Sequence, residues 1–339
     1  MPSLATVVYC FDKNYAPYAA VSIFTLASSN KSTAFQFVCL VPEEDHANVI
    51  PIMTALEKKT GLSITLQAVR MDDFSGWWIN AHLSISTYLR LLIPTLINEP
   101  RALYVDADTL VLSSLESLFS MDLKNCLLAG TPDVLGGQIS KIPRSSEDTY
   151  LNAGVLLMDL DALRQDGMLD KAMTIYRAYQ HQLVMYDQCL INKYAEGRKL
   201  VLDSKWNRLL AASTVTDVQF KQLLTNENPA ILHFVSHYKP WQRWCTPAVA
   251  EFWWHHADQA GIDELKPTEI TSIDQSIMFS RILDANARYE EASERKEAII
   301  QELISLVHQH RSESAEALSR SNQFMEELMS LTNRYQFSS

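Results

Sequence analysis

Glycine is scarce in this chain, and its glycines do not form a phosphate-binding loop. Only 9 of the 339 residues are glycine, whereas glycine makes up about 7% of an average protein. Neither G-x-G-x-x-G nor G-x-x-x-x-G-K-[ST] occurs. Both loops need glycines where the backbone approaches a phosphate, so a dinucleotide-binding Rossmann site and a P-loop are excluded.

Cysteine clusters and long hydrophobic runs are lacking as well. The 5 cysteines are odd in number and contain no C-x-x-C pair, which argues against a disulfide framework and a thiolate zinc site. The sequence has no apolar run of about 18 residues, the length that suggests a membrane-spanning helix. No basic region precedes the first apolar run. We therefore expect no integral membrane segment and a cytoplasmic protein, either free or at the inner face of the membrane.

Basic residues are outnumbered by acidic ones. Lysine and arginine total 29 against 40 aspartate and glutamate residues, which gives a net charge of -11 and a pI of about 5.3. A chain with this balance is not expected to bind nucleic acid. The hydrophobic content of 47% and the mean hydropathy of -0.08 describe a soluble globular protein. Its length allows one large domain or two.

The first seventy residues alternate between strand-like and helical patterns. Strand-like runs cover residues 6–11, 35–41 and 63–69, and helical patterns cover residues 17–29 and 45–60, the second closed by a glycine. This βαβαβ order predicts an α/β fold with a Rossmann-like, mostly parallel sheet flanked by helices. Ligands of such sheets bind beyond the carboxyl ends of the strands, so the loops there are the places to look for a site.

A fourth strand, residues 102–105, runs directly into Asp106-Ala107-Asp108. Two carboxylates in this position cannot both lie unpaired in the core, because burying unpaired charge is prohibitively costly. They are therefore either exposed or bound to a cation. Their hard oxygen atoms suit Mg²⁺ or Mn²⁺, and such ions commonly link protein carboxylates to a diphosphate.

Two further local signals predict helix boundaries. A second D-x-D pair, Asp159 and Asp161, is interpreted as structural, with Asp161 capping a helix that begins at Ala162. Residues 85–92 form a helical pattern that we expect Pro94 to end.

The character of the chain changes near residue 267. From Lys266 onward the sequence has no glycine, cysteine or tryptophan, and it has no proline after Pro267. We therefore predict a main domain over residues 1–266 and a helical C-terminal region over residues 267–339. Apolar stripes in that region are formed by Ile299, Ile300, Leu303, Leu306, Val307, Phe324, Leu328 and Leu331. Two alternatives stay open: a helix pair packed back on the main domain, or an arm that forms a homo-oligomer.

Six motifs in a fixed order set this sequence beside a known family. They are FDKNYAPY from residue 11, HLSISTYLRLLIP from 82, LYVDADTLV from 103, YLNAGVLLMDL from 150, YDQCLIN from 186 and HFVSHYKPW from 233. In order and spacing they resemble glycosyltransferase family 8, especially the bacterial retaining galactosyl- and glucosyltransferases that build lipopolysaccharide. The resemblance covers roughly residues 5 to 255 and leaves the C-terminal region outside.

The resemblance implies a GT-A fold, a UDP-sugar donor, Mn²⁺ or Mg²⁺ as the metal, and retention of anomeric configuration. By the family's motifs, Asp12, Asn14 and Tyr15 would hold uracil and ribose. Arg90 would lie near the donor phosphates or sugar. His82, which precedes the same helix, is a weaker candidate.

The resemblance also implies a metal site and a diphosphate site. Asp106 and Asp108 would ligate the metal, and Asp106 and Ala107 would also contact the donor. The third ligand would be His233, because it lies six residues before Lys239 as the family's H-x-x-G-x-x-K-P-W motif requires, whereas His237 does not. Lys239 would neutralise the β-phosphate as UDP leaves. Ser236 replaces the family's glycine beside the diphosphate.

The remaining motifs imply contacts to the donor sugar. Asn152 and Ala153 would cradle the sugar, Asp187 would accept hydrogen bonds from its hydroxyls, and Gln188 would lie below the anomeric carbon. Because glutamine is a poor nucleophile, same-face attack assisted by the leaving phosphate fits better than a covalent intermediate. Asp133 would lie on the acceptor side, followed by a glycine-containing lid.

The sequence can be compared with the requirements of three functions. The first is a metal-dependent retaining transferase that moves a hexose, glucose or galactose, from a UDP-sugar to a glycan, lipid-linked or protein-linked sugar. The second is a non-catalytic nucleotide-sugar-binding scaffold that acts through its helical tail. The third, a nucleotidyltransferase, would need a glycine-rich basic loop near the first strand, which residues 5–20 lack.

Overall fold

The structure is a computed structural model that describes residues 5–77, 84–212, 215–235, 238–242, 245–262 and 265–268, and helical positions scattered between 297 and 327. The chain divides into two compact units, residues 1–269 and residues 270–339. In the second unit, the described residues are helical and exposed. The predicted apolar stripes lie outside the described residues, so the roles assigned to residues 1–266 and 267–339 stay predictions.

The strands and helices of the first unit alternate through most of the chain. The strands are β1 (Ala5–Cys10), β2 (Phe35–Pro42), β3 (Ile64–Val69), β4 (Arg101–Val105), β5 (Thr109–Val111), β6 (Leu128–Gly130), β7 (Val155–Asp159), β8 (Lys199–Val201), β9 (Arg208–Leu209) and β10 (Ile231–His233). The α-helices are α1 (Ala16–Ser29), α2 (His46–Thr60), α3 (Ile93–Leu96), α4 (Glu116–Phe119), α5 (Val134–Ile139), α6 (Leu160–Gln165), α7 (Met168–Tyr179), α8 (Tyr186–Tyr194), α9 (Asp217–Asn226) and α10 (Pro247–Ala260). Short 3-10 helices include Ile85–Leu92 and Ser204–Asn207.

A seven-stranded sheet in the order β3-β2-β1-β4-β7-β6-β8 forms the centre of the unit. Its first four strands are mutually parallel, and β8 is parallel to β6. Strand β7 is antiparallel to both of its neighbours, β4 and β6. The predicted mostly parallel α/β sheet is confirmed, with a single reversed strand next to the carboxyl end of β4.

Both faces of this sheet are buried, as the alternation of β1 shows. Val7 and Tyr9 belong to the apolar core formed with α1 and α2, whereas Val8 and Cys10 belong to the core on the opposite face. Helix α2 ends where the sequence predicted, at Gly61, whose positive φ of 72° closes the helix in the left-handed conformation.

A small second sheet, in the order β5-β10-β9, connects the segment after Asp108 to the segment around His233. Strand β5 starts at Thr109, directly after the first D-x-D pair, and Thr109 pairs with His233 across the antiparallel β5–β10 ladder. This pairing brings a histidine from late in the chain to the carboxylates at the end of β4.

Two local helix predictions were wrong. Asp159, not Asp161, caps α6, because the Asp159 side chain accepts a hydrogen bond from the Ala162 N–H at 2.9 Å. Residues 85–92 are a 3-10 helix, and Pro94 lies in the first turn of α3 instead of ending a helix. Proline is tolerated there because first-turn N–H groups have no intrahelical partner.

Candidate active site

Two carboxylates and one imidazole converge at the end of β4. Asp106 Oδ2 lies 3.6 Å from His233 Nε2, and Asp108 Oδ1 lies 3.2 Å from the same nitrogen. One ligand atom from each of the three side chains falls within 4.8 Å of the others. The structure thus brings together the three residues that the motifs predicted as metal ligands.

The donor set and its spacing fit a small divalent cation. Metal–oxygen distances of about 2.1 Å in octahedral geometry put ligand atoms about 3 Å apart at adjacent positions and about 4 Å apart at opposite ones. The distances from His233 Nε2 to the two carboxylates lie in this range. Carboxylates with one imidazole can bind Mn²⁺ or Mg²⁺, so Asp106, Asp108 and His233 could hold either ion.

The two oxygens of Asp106 have different surroundings. Oδ1 accepts hydrogen bonds from the Arg90 guanidinium, at 3.0 Å, and from the Tyr104 hydroxyl. Oδ2 is the oxygen that lies nearer to His233. Because Oδ1 is occupied by two donors, Asp106 presents a single oxygen to the cation position.

Lys239 is the counter-ion of Asp108. Its Nζ donates to Asp108 Oδ2 at 2.6 Å and to the carbonyl oxygen of Phe234 at 2.6 Å. Burial opposes ionisation of Asp108, but Lys239 and His233 outweigh it and hold the pKa of that carboxyl well below its usual range. Burial likewise disfavours the charged lysine, and the carboxylate of Asp108 outweighs it, so the pKa of Lys239 is raised.

Arg90 joins Asp106, in the loop after β4, to Asp187 at the start of α8. Its guanidinium contacts Asp187 Oδ2 at 2.8 Å as well as Asp106, and it donates to the carbonyl of Ala153 at 2.6 Å. The guanidinium also lies 4.6 Å from the centre of the Tyr104 ring. The structure therefore places Arg90 as a buried link between two carboxylates.

Asp187 is buried and contacts two neighbours. Its Oδ1 accepts from the Thr87 hydroxyl at 2.5 Å, and its Oδ2 lies 2.8 Å from Arg90 Nε in an ion pair. Burial raises the pKa of Asp187, although Arg90 and Thr87 act in the opposite direction. Thr87 and Arg90 therefore fix the orientation of this carboxylate at the start of α8.

Gln188 is held in one orientation by its neighbours. Its Oε1 accepts from the backbone N–H of Ala153 at 3.0 Å, and its Nε2 donates to Asp133 Oδ2 at 3.0 Å. Asn152 Nδ2 donates to both Asp133 Oδ2 and Gln188 Oε1 at 3.3 Å. The predicted sugar-binding residues Asn152, Ala153 and Gln188 thus form one buried network with Asp133.

The first motif forms a turn at the start of α1. Asp12 Oδ1 accepts hydrogen bonds from the backbone N–H groups of Asn14, at 2.9 Å, and Tyr15, at 3.1 Å. Asp12 is buried, Tyr15 is half-buried and Asn14 is exposed. Trp241 of the last motif packs edge-on against Tyr15 at 6.2 Å between ring centres, so the first and last motifs meet.

Some predicted residues lie elsewhere. Ala107 is buried between the two carboxylates, and the glycines after Asp133 lie inside α5 and are buried. Ser236, His237 and His82 lie outside the described residues.

The structure also identifies residues that the motif analysis missed. Thr87 bonds Asp187, and Asn207 Oδ1 lies 2.9 Å from His233 Nδ1. A Cβ atom on Gly154 would lie 2.2 Å from His233 Cε1 and 2.6 Å from Asp106 Oδ2. Thr87 and Gly154 stand inside quoted motifs, so their position was a signal, whereas Asn207 stands outside all six.

Within the part of the chain that the structure describes, no helix has the length and apolarity to cross a membrane.

Comparison with known proteins gives consistent matches. A family model described as glycosyl transferase family 8 matches residues 6–245. Glycosyltransferase GlyF of Streptococcus pneumoniae serotype 4 is 28% identical over 197 residues, which cover 57% of this chain and 48% of GlyF. Lipopolysaccharide 1,2-glucosyltransferase of Escherichia coli K12 is 25% identical over 248 residues, which cover 70% of this chain and 73% of that enzyme. This chain therefore spans about half the length of GlyF and more of the second relative.

A solved structure agrees. A crystal structure of an active-site mutant of LgtC aligns with a TM-score of 0.65 and 26% identity, covering 75% of this chain and 95% of LgtC. The chain has the GT-A fold of this neighbour, with a carboxylate–histidine cluster at the end of β4. The chain belongs to glycosyl transferase family 8, whose model matches most of its length. The family resemblance that the six motifs indicated is confirmed.

Proposed function

We propose that this protein is a metal-dependent, retaining hexosyltransferase that moves glucose or galactose from a UDP-sugar to a hydroxyl of a sugar acceptor. The observation that carries the proposal is the convergence of Asp106, Asp108 and His233 at one cation-sized position, with Lys239 beside it. Carboxylates arranged around a divalent ion and a lysine are what a departing diphosphate requires.

The metal site and Lys239 would act together on the diphosphate. A bound Mn²⁺ or Mg²⁺ would neutralise the diphosphate and stabilise UDP as a leaving group. Lys239 now pairs with Asp108. The ammonium group of Lys239 would supply positive charge to the β-phosphate as UDP leaves.

The donor would lie along the carboxyl ends of the strands. Asp12, Asn14 and Tyr15 would bind uracil and ribose at the start of α1, as the family motif implies. Asp106 and Ala107 would contact the donor beside the metal. Ser236 stands where the family motif has glycine, and we propose that it lies next to the diphosphate.

The sugar would be held by the network around Gln188. Asp187, which is ion-paired with Arg90, would accept a hydrogen bond from a sugar hydroxyl. Asn152 and Ala153 would contact the sugar, and Arg90 would keep Asp187 ionised by its positive charge. Glucose and galactose differ in one hydroxyl orientation, so this polar pocket would decide between them.

The chemistry would proceed by attack on the face from which UDP leaves. The bond between the anomeric carbon and the β-phosphate oxygen breaks, the acceptor oxygen bonds to the same carbon, and the acceptor proton passes to the departing phosphate. Gln188 would place its amide oxygen below the anomeric carbon, where partial negative charge stabilises developing positive charge. Its hydrogen bonds to Ala153 and Asp133 would hold that oxygen in place.

The experiment is UDP release from a panel of UDP-hexoses, with and without Mn²⁺ and with diverse sugar acceptors. The wild type should turn over one donor in a metal-dependent way, and Asp108→Ala and His233→Ala should both abolish turnover. Asp161→Ala is the matched control, because Asp161 belongs to the second D-x-D pair and its partner is the surface Arg164. This control should keep wild-type turnover.

Two other outcomes would change the conclusion. Binding of UDP-sugars without turnover by any acceptor would favour the alternative, a non-catalytic scaffold that acts through the C-terminal helices. Turnover that does not respond to Mn²⁺, Mg²⁺ or the two ligand substitutions would contradict the metal-dependent mechanism. The proposal places the reaction in the cytoplasm, with the enzyme free or at the inner face of the membrane.

A further inference from the structure

His233, the proposed metal ligand, is hydrogen-bonded through its Nδ1 to a buried asparagine, Asn207. Asn207, which is 1% exposed, ends the 3-10 helix Ser204–Asn207 and stands directly before β9. Because β9 pairs in parallel with β10, Leu209 lies opposite His233 and Asn207 lies close to the histidine ring. The Asn207 Oδ1 to His233 Nδ1 distance is 2.9 Å.

The direction of this hydrogen bond follows from the backbone N–H of Gly154, which is connected to Asn207 through the side chain of Asn152. The N–H of Gly154 points at Asn152 Oδ1 at 2.9 Å. A backbone N–H can only donate, so this atom of Asn152 must be the oxygen. The other end of the same amide faces Asp133 Oδ2 and Gln188 Oε1, both acceptors, which requires an NH₂ group there.

The second amide is fixed by the first. Asn207 Nδ2 lies 2.8 Å from Asn152 Oδ1. Rotating the Asn207 amide by half a turn would place two oxygens against each other at that distance, so the NH₂ group faces Asn152. The oxygen of Asn207 therefore faces His233 Nδ1, and Nδ1 must carry the proton.

We propose that Asn207 is a positioning residue that keeps the proton of His233 on Nδ1 and so leaves the Nε2 lone pair for the metal. Gly154 N–H, Asn152 and Asn207 form a hydrogen-bond relay that ends at this nitrogen. The inference rests on the metal site of the proposed function. Partners that fix a ligating histidine in this way commonly change metal affinity by about 10- to 100-fold when they are removed.

Two substitutions at Asn207 separate the acceptor from the shape of the side chain. Asn207→Leu removes the acceptor for Nδ1–H at similar size, and Mn²⁺ affinity measured by electron paramagnetic resonance should fall by about 10- to 100-fold. Asn207→Asp keeps an oxygen that can accept from Nδ1–H but loses the NH₂ group that donates to Asn152 Oδ1, so its Mn²⁺ affinity should fall less than that of Asn207→Leu. The matched control is Asn30→Leu, because Asn30 is also buried and, among the described residues, its side chain bonds the backbone of Leu26 and Leu115 only. Asn30→Leu should lower stability and leave Mn²⁺ affinity unchanged.

A second measurement reports on the proton itself. In protein with ¹⁵N-labelled histidine, with or without diamagnetic Mg²⁺, the hydrogen-bonded Nδ1–H of His233 should give a slowly exchanging downfield signal. Its absence in His233→Gln assigns it. The signal should persist in Asn207→Asp and be lost to exchange in Asn207→Leu.

The outcomes are separable from those of the proposed function. Unchanged Mn²⁺ affinity in Asn207→Leu, or a wild-type His233 whose Nδ1 carries no proton, would overturn the inference. If wild-type protein bound no Mn²⁺ at all, the metal part of the proposed function would fail. The Nδ1–H signal of the metal-free protein and its loss in Asn207→Leu would then still decide whether the relay exists.

Discussion

Gly154 packs its backbone directly against His233 and Asp106, two of the three proposed metal ligands. Its carbonyl accepts a hydrogen bond from the Asp106 N–H at 2.7 Å, and its own N–H starts the relay through Asn152. A Cβ atom at this position would come within 2.2 Å of the His233 ring and within 2.6 Å of Asp106. Glycine is required here by space, since the backbone φ is not in the left-handed region.

We therefore expect Gly154→Ala to displace His233 or Asp106 and to lower Mn²⁺ affinity by at least about 10-fold, as for loss of an outer partner of a metal ligand. Titration with Mn²⁺ followed by electron paramagnetic resonance measures this. Gly130→Ala is the control, because its Cβ would meet the side chain of Leu156 in the core, at 2.9 Å. It should lower stability without changing Mn²⁺ affinity, and equal losses of affinity in both variants would contradict the explanation.

Among the helices of the first unit, Asp166 contacts three side chains, one of which lies at the end of α8, the helix that carries Gln188. It lies directly after α6, and its carboxylate pairs with Lys171 of α7 at 2.8 Å and Arg198 at 3.1 Å. It also accepts from the hydroxyl of Tyr194, at the end of α8, at 2.7 Å. Hydrogen bonds from Arg198 and Lys171 hold the pKa of Asp166 well below its usual range.

This lowered pKa predicts a pH-dependent contribution to folding. In the unfolded chain an aspartate has a pKa of about 3.9, so the folded state favours the ionised form of Asp166 and its contribution is complete above that pH. The contribution is lost as the pH falls toward the lowered pKa of the folded state. The difference in free energy of unfolding between wild type and Asp166→Asn should thus shrink on acidification, as urea titrations at several pH values would show.

The control for this measurement is Asp161→Asn, since Asp161 is more exposed and pairs with Arg164 alone. A single exposed ion pair contributes little to stability, so this variant should differ less from the wild type at neutral pH. A difference for Asp166→Asn that stays constant down to pH values well below about 3.9 would contradict the assignment.

At the scale of the whole molecule, the C-terminal region remains to be given a role. Its sequence stripes predict either a helix pair packed back on the main domain or an arm that assembles copies of the chain. The first compact unit ends at Glu269, and Thr268 still belongs to it because its N–H donates to the carbonyl of Trp241 at 3.0 Å. A truncated protein should therefore end at Glu269 so that this pairing is kept.

If the stripes form an oligomerising arm, light scattering should give a multiple of 38.5 kDa for the full chain and the mass of a monomer for the protein that ends at Glu269. Metal-dependent UDP release should persist in the truncated protein, because the proposed active-site residues all precede the cut. Monomers in both samples would contradict the oligomerising arm and favour a helix pair that serves the main domain.

Local sequence patterns were enough for the order of strands and helices and for the first two candidate metal ligands, Asp106 and Asp108. The βα alternation and the glycine at the end of α2 depend on interactions within a few residues, and the structure has them as predicted. The helix cap was placed at Asp161 instead of Asp159 because both lie near the helix start and only backbone geometry decides which side chain reaches Ala162.

The sequence by itself determined the order of the elements, the parallel sheet and the carboxylate pair, because these follow from periodicity and from the cost of burying charge. The tertiary structure decided which distant groups meet. The antiparallel β5–β10 ladder places His233 beside the carboxylates, and the β9–β10 pairing places Asn207 behind its ring. The direction of the hydrogen bonds that run from Gly154 through Asn152 is set by atoms about 3 Å apart. The spacing of residues along the chain does not predict which atoms come that close.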